Sequence, residues 1–278
     1  MIPKINKLII PAAGIGSRFL PITKSIPKEM LPLSNKPCIE YIVQEGVDSG
    51  LNNMLIILSP DKSIIIDYFS YNHHLQQVLQ EQNKSSYLDE FNKLMSQATF
   101  QYFIQNKPQG VANALLHAQP AFQKNEFFAM SYPDDIIFGD SPEIGNLIKI
   151  AQEHNAMVIG VMEVPLEKIS AYGVIAPKQQ IADDLFEIES LVEKPTAQDA
   201  PSNLAIVGRF VLHSDLFTYI PQTTPNAQGE ILLPDTIKLM IQKGFKVLAY
   251  KIKGKRFDTG TPKGWLDFIV QHHESISA

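Results

Sequence analysis

Cysteine is nearly absent from this chain of 278 residues, which contains only Cys38. A single cysteine cannot form an intramolecular disulfide, and it excludes a metal site built from several thiolates. We predict that Cys38 is a small apolar filler on a helix. The histidines form no metal-like cluster, because His73-His74 and His272-His273 are adjacent pairs and sequence neighbours on a helix do not face one another. No Ser/His/Asp pattern is present either, so covalent catalysis has no support.

Long apolar stretches and an excess of positive charge are missing as well. No run approaches the roughly 20 apolar residues that a membrane-spanning helix needs, and the first residues do not read as a signal peptide. The net charge is −5, which argues against nucleic acid or an anionic membrane as a partner. With 45% hydrophobic and 19% charged residues, the composition is that of a globular protein. These observations predict a soluble cytoplasmic protein.

Two common nucleotide-binding loops are also absent. The chain has no Gly-Lys-Ser or Gly-Lys-Thr triplet. Phe19 stands where a dinucleotide-binding fingerprint would place a third small residue, and Pro21 and Pro27 interrupt the helix that should follow. A nicotinamide-dependent dehydrogenase is therefore disfavoured.

A different glycine-containing segment lies near the N-terminus. An apolar run over residues 7–13 leads into Gly14 and Gly16, and the cations Arg18 and Lys28 follow. Glycines let backbone N–H groups approach an anion, and the cations supply charge to a polyphosphate. An isolated Gly-x-Gly usually forms only a turn, but the basic residues and prolines after this one favour nucleotide chemistry.

Strand-like and helix-like segments alternate along the chain. We predict strands over residues 7–13, 53–59, 99–105, 126–132, 156–164, 172–176, 185–192 and 205–212. We predict helices over residues 37–49, 61–69, 75–95, 110–119, 234–243 and 262–272. The alternation predicts an α/β fold with a mostly parallel, Rossmann-like central sheet flanked by helices, and a smaller β-rich, acceptor-binding region in the C-terminal half. A single domain, 1–278, would contain a nucleotide-binding half of about 1–155 and an acceptor half of about 156–278.

The N-terminal segment is far more specific than its two glycines. Residues 11–32 read Pro-Ala-Ala-Gly-Ile-Gly-Ser-Arg-Phe-Leu-Pro-Ile-Thr-Lys-Ser-Ile-Pro-Lys-Glu-Met-Leu-Pro. This segment closely resembles the opening of the bacterial UTP–glucose-1-phosphate uridylyltransferases, also called UDP-glucose pyrophosphorylases, within the sugar-nucleotidyltransferase family. The resemblance continues through most of the chain and is weakest over residues 73–97.

The resemblance implies roles for the residues of this opening segment. Arg18 and Lys28 would steady the triphosphate and the leaving pyrophosphate. Backbone donors from Ala12, Ala13 and Gly14 would assist them. Cations at these positions suit phosphoryl transfer, which depends mainly on positioning and charge stabilisation.

Two aspartates are candidate metal ligands. Asp134 follows a predicted strand, beyond the carboxyl end where ligands of parallel sheets bind, although a turn-forming aspartate fits that position equally well. The resemblance implies that Asp134 is the family's metal-binding aspartate, with Asp135 as a neighbour, and that Asp258 before Thr259-Gly260 holds the same ion. Mg²⁺ is the predicted cofactor, because it pairs one or two carboxylates with substrate phosphate oxygens.

The acceptor side is marked by Glu193-Lys194-Pro195. By itself a Glu-Lys pair is typical of a solvated surface. The resemblance implies that Glu193 binds sugar hydroxyls and that Lys194 reaches the phosphate of a sugar phosphate. It also implies sugar contacts or pocket-shaping roles for four further residues, Gly173, Asn203, Gly208 and Glu230. Arg209 remains open to interpretation as an ordinary surface cation.

The base-recognition segment runs from Gln105 to Ala114. An amide can pair with a carbonyl and an N–H of a pyrimidine, so Gln105 is the predicted base reader, and Gly110 would lie close to the ring. Uridylyltransferases typically carry Gly-Leu-Gly-His-Ala here. This chain has Gly-Val-Ala-Asn-Ala, nearer the thymidylyltransferase form.

The resemblance thus implies a magnesium-dependent transfer of uridylyl from UTP to glucose 1-phosphate, yielding UDP-glucose and pyrophosphate. A thymidylyltransferase that uses dTTP, or transfer to another sugar 1-phosphate, is the nearest alternative. A non-catalytic nucleotide-sugar-binding regulatory protein is the alternative from another class. The expected partners are small-molecule substrates, with no nucleic acid or membrane. Because members of the family commonly form dimers or tetramers, the resemblance also implies a homo-oligomer.

Overall fold

The structure is a computed structural model that describes residues 4–272, except for the side chain of His272. Within this range the strands are β1 (Lys7–Pro11), β2 (Pro32–Leu33), β3 (Lys36–Pro37), β4 (Asn53–Leu58), β5 (Thr99–Ile104), β6 (Phe127–Ser131), β7 (Asp135–Phe138), β8 (Met157–Glu163), β9 (Gly173–Ala182), β10 (Leu185–Glu193), β11 (Leu204–His213), β12 (Val247–Lys251) and β13 (Lys255–Asp258). The α-helices are α1 (Cys38–Asp48), α2 (Ser63–Tyr68), α3 (His73–Glu81), α4 (Asp89–Gln97), α5 (Val111–Leu116), α6 (Glu143–His154), α7 (Leu216–Tyr219), α8 (Leu233–Gln242) and α9 (Pro262–His272).

A nine-stranded sheet organises the part of the chain that the structure describes, in the order β5-β4-β1-β6-β11-β8-β12-β10-β9. The first four of these strands run parallel to one another. Strand β1 is buried on both faces: Leu8 and Ile10 pack in one core cluster with Ile39 of α1, while Ile9 packs in a second cluster with Leu115 of α5. Helices on both faces explain why this strand reads as a continuous apolar run. The predicted α/β class and flanked central sheet are confirmed.

The second half of the sheet is mixed rather than mostly parallel. Strand β11 runs antiparallel to both β6 and β8, and β10 runs antiparallel to β12 and β9. Only β12 and β8 are parallel in this half, so four of the eight neighbouring pairs in the sheet are antiparallel. The predicted parallel pairing therefore holds for the first four strands. Antiparallel neighbours need no helical crossover, which accounts for the strand-rich composition of residues 157–213.

The polar segment predicted as one helix over 75–95 forms two helices, α3 and α4, joined by a 3₁₀ turn over Ser85–Leu88. Helix α3 ends at Glu81, and Asn83 in the connection between the two helices has a left-handed φ of 56°. A left-handed residue cannot continue a right-handed helix, and asparagine tolerates this conformation better than most residues.

The predicted set lacks helix α6 and strand β12, and also the short elements β2, β3, β7, α7 and β13. Helix α6 buries Ile144, Leu147, Ile148 and Ala151. These residues follow the spacing of one helical face, so the signal was available in the sequence. Strand β12 is a short buried run that directly follows α8 and Gly244.

The N-terminal segment and the lone cysteine follow expectation. The segment after β1 contains only 3₁₀ turns, over Ser17–Phe19, Ile22–Lys24 and Lys28–Met30. Cys38 is buried at the start of α1, as predicted for a small apolar filler on a helix, and burial raises its thiol pKa to about 12. Across residues 4–272, the structure contains no helix of the length and apolarity that a membrane crossing requires.

Candidate active site

A cleft of about 450 Å³ opens at the carboxyl ends of the parallel strands. It lies where ligands bind in open α/β sheets, at the loops that follow β1 and β6. Its lining includes Ala13, Gly14, Gly16, Arg18, Lys28, Gln105, Gly110, Tyr132, Asp134, Glu230 and Gly260. Eight of these residues are predicted site residues, so tertiary folding brings most of the nucleotide set together.

Lys28 and Asp134 form the charged end of this cleft. The Lys28 Nζ donates to Asp134 Oδ2 at 2.5 Å, with both side chains largely buried. Burial lowers the pKa of Lys28, but the carboxylates of Asp134 and Glu29 raise it more, so its pKa lies above the usual value. Burial likewise raises the pKa of Asp134, and the Lys28 ammonium outweighs that effect and holds it below the usual value. Both groups are therefore charged at neutral pH, and Arg18 remains exposed beside them.

Asp134 and Asp258 meet around Gly260. A Cβ built on Gly260 would collide with Asp134 Oδ2 and lie 3.2 Å from Asp258 Oδ1. Burial raises the pKa of Asp258, and nearby Asp134 and Asp135 raise it further against the opposing effect of Arg256. Two carboxylates that converge on one small space form a favourable site for a cation.

The donor set at this point fits a hard divalent cation that completes its coordination with other ligands. In the described part of the chain, no group of three or more His, Cys, Asp or Glu side chains is placed to hold a metal. Mg²⁺ is usually bound by one or two carboxylates together with substrate phosphates and water, rather than by an all-protein cage. Asp134 and Asp258 match that pattern.

A short two-stranded ribbon positions Asp258, the last residue of β13, near Asp134, which directly precedes β7. Strands β7 and β13 pair so that Asp135 lies opposite Asp258. Arg256 Nε donates to Asp135 Oδ1 at 2.6 Å, and Asp135 Oδ2 accepts from the Gly208 amide at 2.7 Å. Neither Asp135, predicted only as a neighbour of Asp134, nor Arg256 is among the predicted site residues. In the sequence, Asp135 lies one residue from Asp134 and Arg256 lies two residues from Asp258. The opposite charges of Asp135 and Arg256 beside the two metal candidates were the signal available.

The base-recognition end is built by β5 and α5. Gln105 is 4% exposed, and its Nε2 donates to Asn113 Oδ1 at 3.3 Å, which leaves its Oε1 available to accept from a ring N–H. Gly110 has φ +89°, and a Cβ there would come within 2.8 Å of the Ile231 amide nitrogen. Only glycine fits where the 229–232 loop crosses so closely.

A second pocket of about 220 Å³ adjoins the cleft, and Val111, Tyr132 and Leu232 line both. It contains Gly173, Glu193 and Gly208 from the predicted sugar set, together with Tyr172 and Arg256. Gly173 and Glu193 are register partners on β9 and β10, and a Cβ on Gly173 would lie 3.0 Å from the Glu193 carboxylate. Burial raises the pKa of Glu193. A carboxylate facing bare backbone is suited to binding hydroxyl groups.

Three predicted residues lie elsewhere than expected. Lys194 lines neither space: its side chain is 62% exposed, and its Nζ lies 3.8 Å from Glu193. Asn203 lines neither space, and its carbonyl accepts from the Val164 amide. Glu230 lines the larger cleft rather than the adjoining pocket. Their proposed ligand contacts stay predictions.

Ala12 requires a correction, because its amide is not available to a phosphate. That amide donates to the Ile57 carbonyl at 2.8 Å, and the residue is completely buried. The parallel pairing of β1 with β4 extends one residue past the strand and uses this donor. The backbone donors of the loop therefore start at Ala13.

Arg209 is also not a surface cation. It is fully buried, and its guanidinium forms a bidentate pair with Glu45 of α1, with Nε and Nη2 at 3.0 and 2.6 Å from Oε2. Glu45 Oε1 additionally accepts from the Ile144 amide at the start of α6. The pair joins β11 to two helices behind the adjoining pocket.

The fold and these two connected spaces define a nucleotidyl-transfer class of protein. The model of a family described as nucleotidyl transferase matches residues 7–275. A UTP–glucose-1-phosphate uridylyltransferase from Mycoplasma pneumoniae is 41% identical over 95% of this chain and 91% of its own. The chain therefore belongs to the nucleotidyl transferase family, among the UTP–glucose-1-phosphate uridylyltransferases.

Solved structures agree with this membership. A UDP-glucose pyrophosphorylase complexed with UDP-glucose is 32% identical, covers 98% of this chain and all of its own, and superposes with a TM-score of 0.88. A UTP-bound enzyme of the same kind from Acinetobacter baumannii is also 32% identical, covers 97% of this chain and 93% of its own, and gives a TM-score of 0.89. The family predicted from residues 11–32 is confirmed.

Proposed function

We propose that this chain transfers the uridylyl group of UTP to glucose 1-phosphate, giving UDP-glucose and pyrophosphate. The observation that carries the proposal is the meeting of Asp134 and Asp258 at Gly260, where Asp134 and Gly260 line the cleft. The names of the similar enzymes, which refer to UTP and UDP-glucose, support UTP over dTTP. The larger cleft would hold the nucleotide, and the adjoining pocket would hold the sugar.

The reaction needs positioning and charge rather than a general base. A phosphate oxygen of glucose 1-phosphate attacks the α-phosphorus of UTP as the bond to the β-phosphate oxygen breaks, and pyrophosphate leaves. The attacking phosphate is already an anion, so no proton has to be removed. Arg18 and Lys28 stabilise the charge of the triphosphate and the leaving group, and Lys194 offsets the charge of the attacking phosphate.

Specificity comes from the two ends of the combined space. Gln105 Oε1 accepts from the N–H of uracil, and Gly110 allows the ring to lie against the backbone. Glu193 and the Gly173 backbone bind glucose hydroxyls. Lys28 keeps Asp134 ionised, and Asp134 and Asp258 would hold Mg²⁺, which when bound supplies positive charge at the phosphates.

A nucleotide panel tests the proposal. Purified protein is incubated with glucose 1-phosphate, Mg²⁺ and UTP, dTTP, CTP, ATP or GTP, and pyrophosphate release is followed. We expect UTP to give the highest kcat/KM and EDTA to abolish turnover. A preference for dTTP would make the chain a thymidylyltransferase, and no product with any nucleotide would favour a regulatory binding protein.

A matched pair of variants locates the activity. Asp134→Asn removes a charge inside the cleft, while Asp140→Asn makes the same change at an exposed position after β7. We expect the first to lose at least 100-fold in kcat and the second to keep wild-type turnover. Equal activity in the two variants would reject the assigned role of Asp134.

The assembly and setting of the chain also enter the proposal. We propose one functional domain with its two halves sharing the central sheet, acting in the cytoplasm as a homo-oligomer. Size-exclusion chromatography with light scattering measures the mass directly, and a monomer at micromolar concentration would contradict the predicted dimer or tetramer.

A further inference from the structure

A buried lysine lies directly beneath the glycine-containing loop. Lys62, in the turn that leads into α2, is 3% exposed. Its Nζ donates to the carbonyls of Ala12 and Gly14, each at 2.6 Å, and to Glu29 Oε2 at 2.8 Å. All three donors of the ammonium group are used, and two of them hold the loop.

These carbonyl contacts determine where the next amides point. In a trans peptide the C=O and the following N–H point in opposite directions. Because the Ala12 and Gly14 carbonyls point inward to Lys62, the amides of Ala13 and Ile15 point away from it, in a loop whose residues Ala13, Gly14 and Gly16 line the cleft. Among residues 4–272, the structure gives neither amide a protein acceptor. Both are free to donate to a ligand.

The partner of Lys62 comes from the charged segment of the same site. Glu29 is completely buried and directly follows Lys28, whose Nζ reaches Asp134. The contact between Lys62 and Glu29 therefore connects the backbone beside Lys28 to the loop that contains Ala13. The Lys62–Glu29 pair connects the two parts of the site that face the phosphates.

The pair is poorly suited to a purely stabilising role. Glu29 Oε1 is buried and has no hydrogen-bond partner in the described part of the chain. Buried ion pairs with imperfect hydrogen bonding often add little to stability, and well-packed apolar replacements can be neutral or stabilising. A positioning role explains the buried charges of Lys62 and Glu29 better than a stabilising role does.

We propose that Lys62 is a positioning residue that orients the Ala13 and Ile15 amides toward the bound nucleotide. It does not touch the substrate itself. Glu29 balances its charge and keeps the ammonium under the loop. The inference rests on the proposed use of UTP by this chain.

Replacing both members of the pair separates positioning from stability. Lys62→Met alone leaves the Glu29 carboxylate buried without its partner and is expected to unfold readily. The double variant Lys62→Met with Glu29→Leu removes both charges, and we expect its melting temperature to lie within about 5 °C of wild type because no buried charge is left unpaired.

Kinetics of the folded double variant decide the inference. We expect the KM for UTP to rise at least tenfold, while the KM for glucose 1-phosphate stays within twofold because the adjoining pocket is untouched. A wild-type KM for UTP in the folded double variant would overturn the proposal. Absence of UTP turnover in the wild-type protein would instead reject the proposed function.

A measurement on the wild-type chain tests the inference without needing the double variant to fold. Protein labelled with ¹⁵N-alanine and ¹⁵N-isoleucine is titrated with UTP, and the amide resonances of Ala12, Ala13 and Ile15 are followed. We expect the Ala13 and Ile15 amide protons to shift downfield, with little change at Ala12. A larger change at Ala12 than at the other two would contradict the proposal.

Discussion

At the residue scale, Lys194 is a predicted catalytic residue whose side chain lines neither the cleft nor the adjoining pocket. It has a left-handed φ of 47° and a 62% exposed side chain beside Glu193. A long exposed side chain can close over a bound phosphate without rearranging the sheet.

We predict that Lys194→Ala lowers kcat by roughly 100- to 1,000-fold, the usual effect of removing one group that stabilises developing charge. The fold should be retained, because the side chain makes few contacts. Steady-state kinetics and a thermal melt measure both effects. The control is Lys149→Ala at an exposed position on α6, which should behave as wild type. Near-normal turnover of Lys194→Ala would reject its role.

Gly260 gives the second prediction at this scale. In Gly260→Ala, the new Cβ would collide with the Asp134 carboxylate, so we expect loss of at least 100-fold in kcat at saturating Mg²⁺ and a higher Mg²⁺ requirement. Gly50→Ala is the control. Gly50 has φ +82° and open space around it, so that change strains the backbone by about 1 kcal/mol without touching the site. If both variants keep full activity, the carboxylates do not meet at Gly260 as described.

At the element scale, the β7–β13 ribbon fixes the relation between two distant parts of the chain. Asp135 and Arg256 are 95% and 87% buried in their side chains, and their hydrogen bond spans the ribbon. Removing one partner from a buried pair typically costs about 3–5 kcal/mol, because the other charge is left without compensation.

The ribbon therefore predicts strong coupling between its two charges. Arg256→Gln alone should lower the free energy of unfolding by about 3 kcal/mol, and adding Asp135→Asn should recover part of that loss. Urea unfolding of the wild type, both single variants and the double variant gives the coupling energy. Additive effects of the two substitutions would show that the pair does not hold the ribbon together.

At the scale of the whole molecule, one sheet carries both binding spaces. Strand β11 pairs with β6 beside the cleft and with β8 in the second half, and Arg209 ties it to helices α1 and α6 through Glu45. This continuity indicates that ligand binding at either end stabilises the same folded unit.

We predict that UDP-glucose, which would span both spaces, raises the temperature of a single unfolding transition. A ligand at 100 times its Kd adds about 2.7 kcal/mol to the stability of the state that binds it. Differential scanning calorimetry with UDP-glucose, UMP and glucose 1-phosphate at equal concentration should show the largest shift with UDP-glucose. Two separate transitions, of which only one responds, would contradict the single-domain prediction.

Much of the nucleotide side could be predicted from the sequence because its residues are close together along the chain. Gly14, Arg18 and Lys28 occupy one short segment, and their spacing is characteristic of a family. The contacts between distant segments were harder to predict. Neither the burial of Arg209 nor the pairing of Arg256 with Asp135 has a local pattern, since both depend on partners more than 100 residues away.

By itself, the sequence determined the α/β class, the family and the residue types available for phosphate and metal chemistry, because periodicity and motif spacing are local properties of the chain. Tertiary structure alone decided that β11 enters the sheet antiparallel, that Asp134 and Asp258 converge on Gly260, that the Ala12 amide is already used, and that Lys62 lies beneath the loop. Those outcomes depend on which distant groups are buried together, where each polar atom must find a partner or remain available to a ligand.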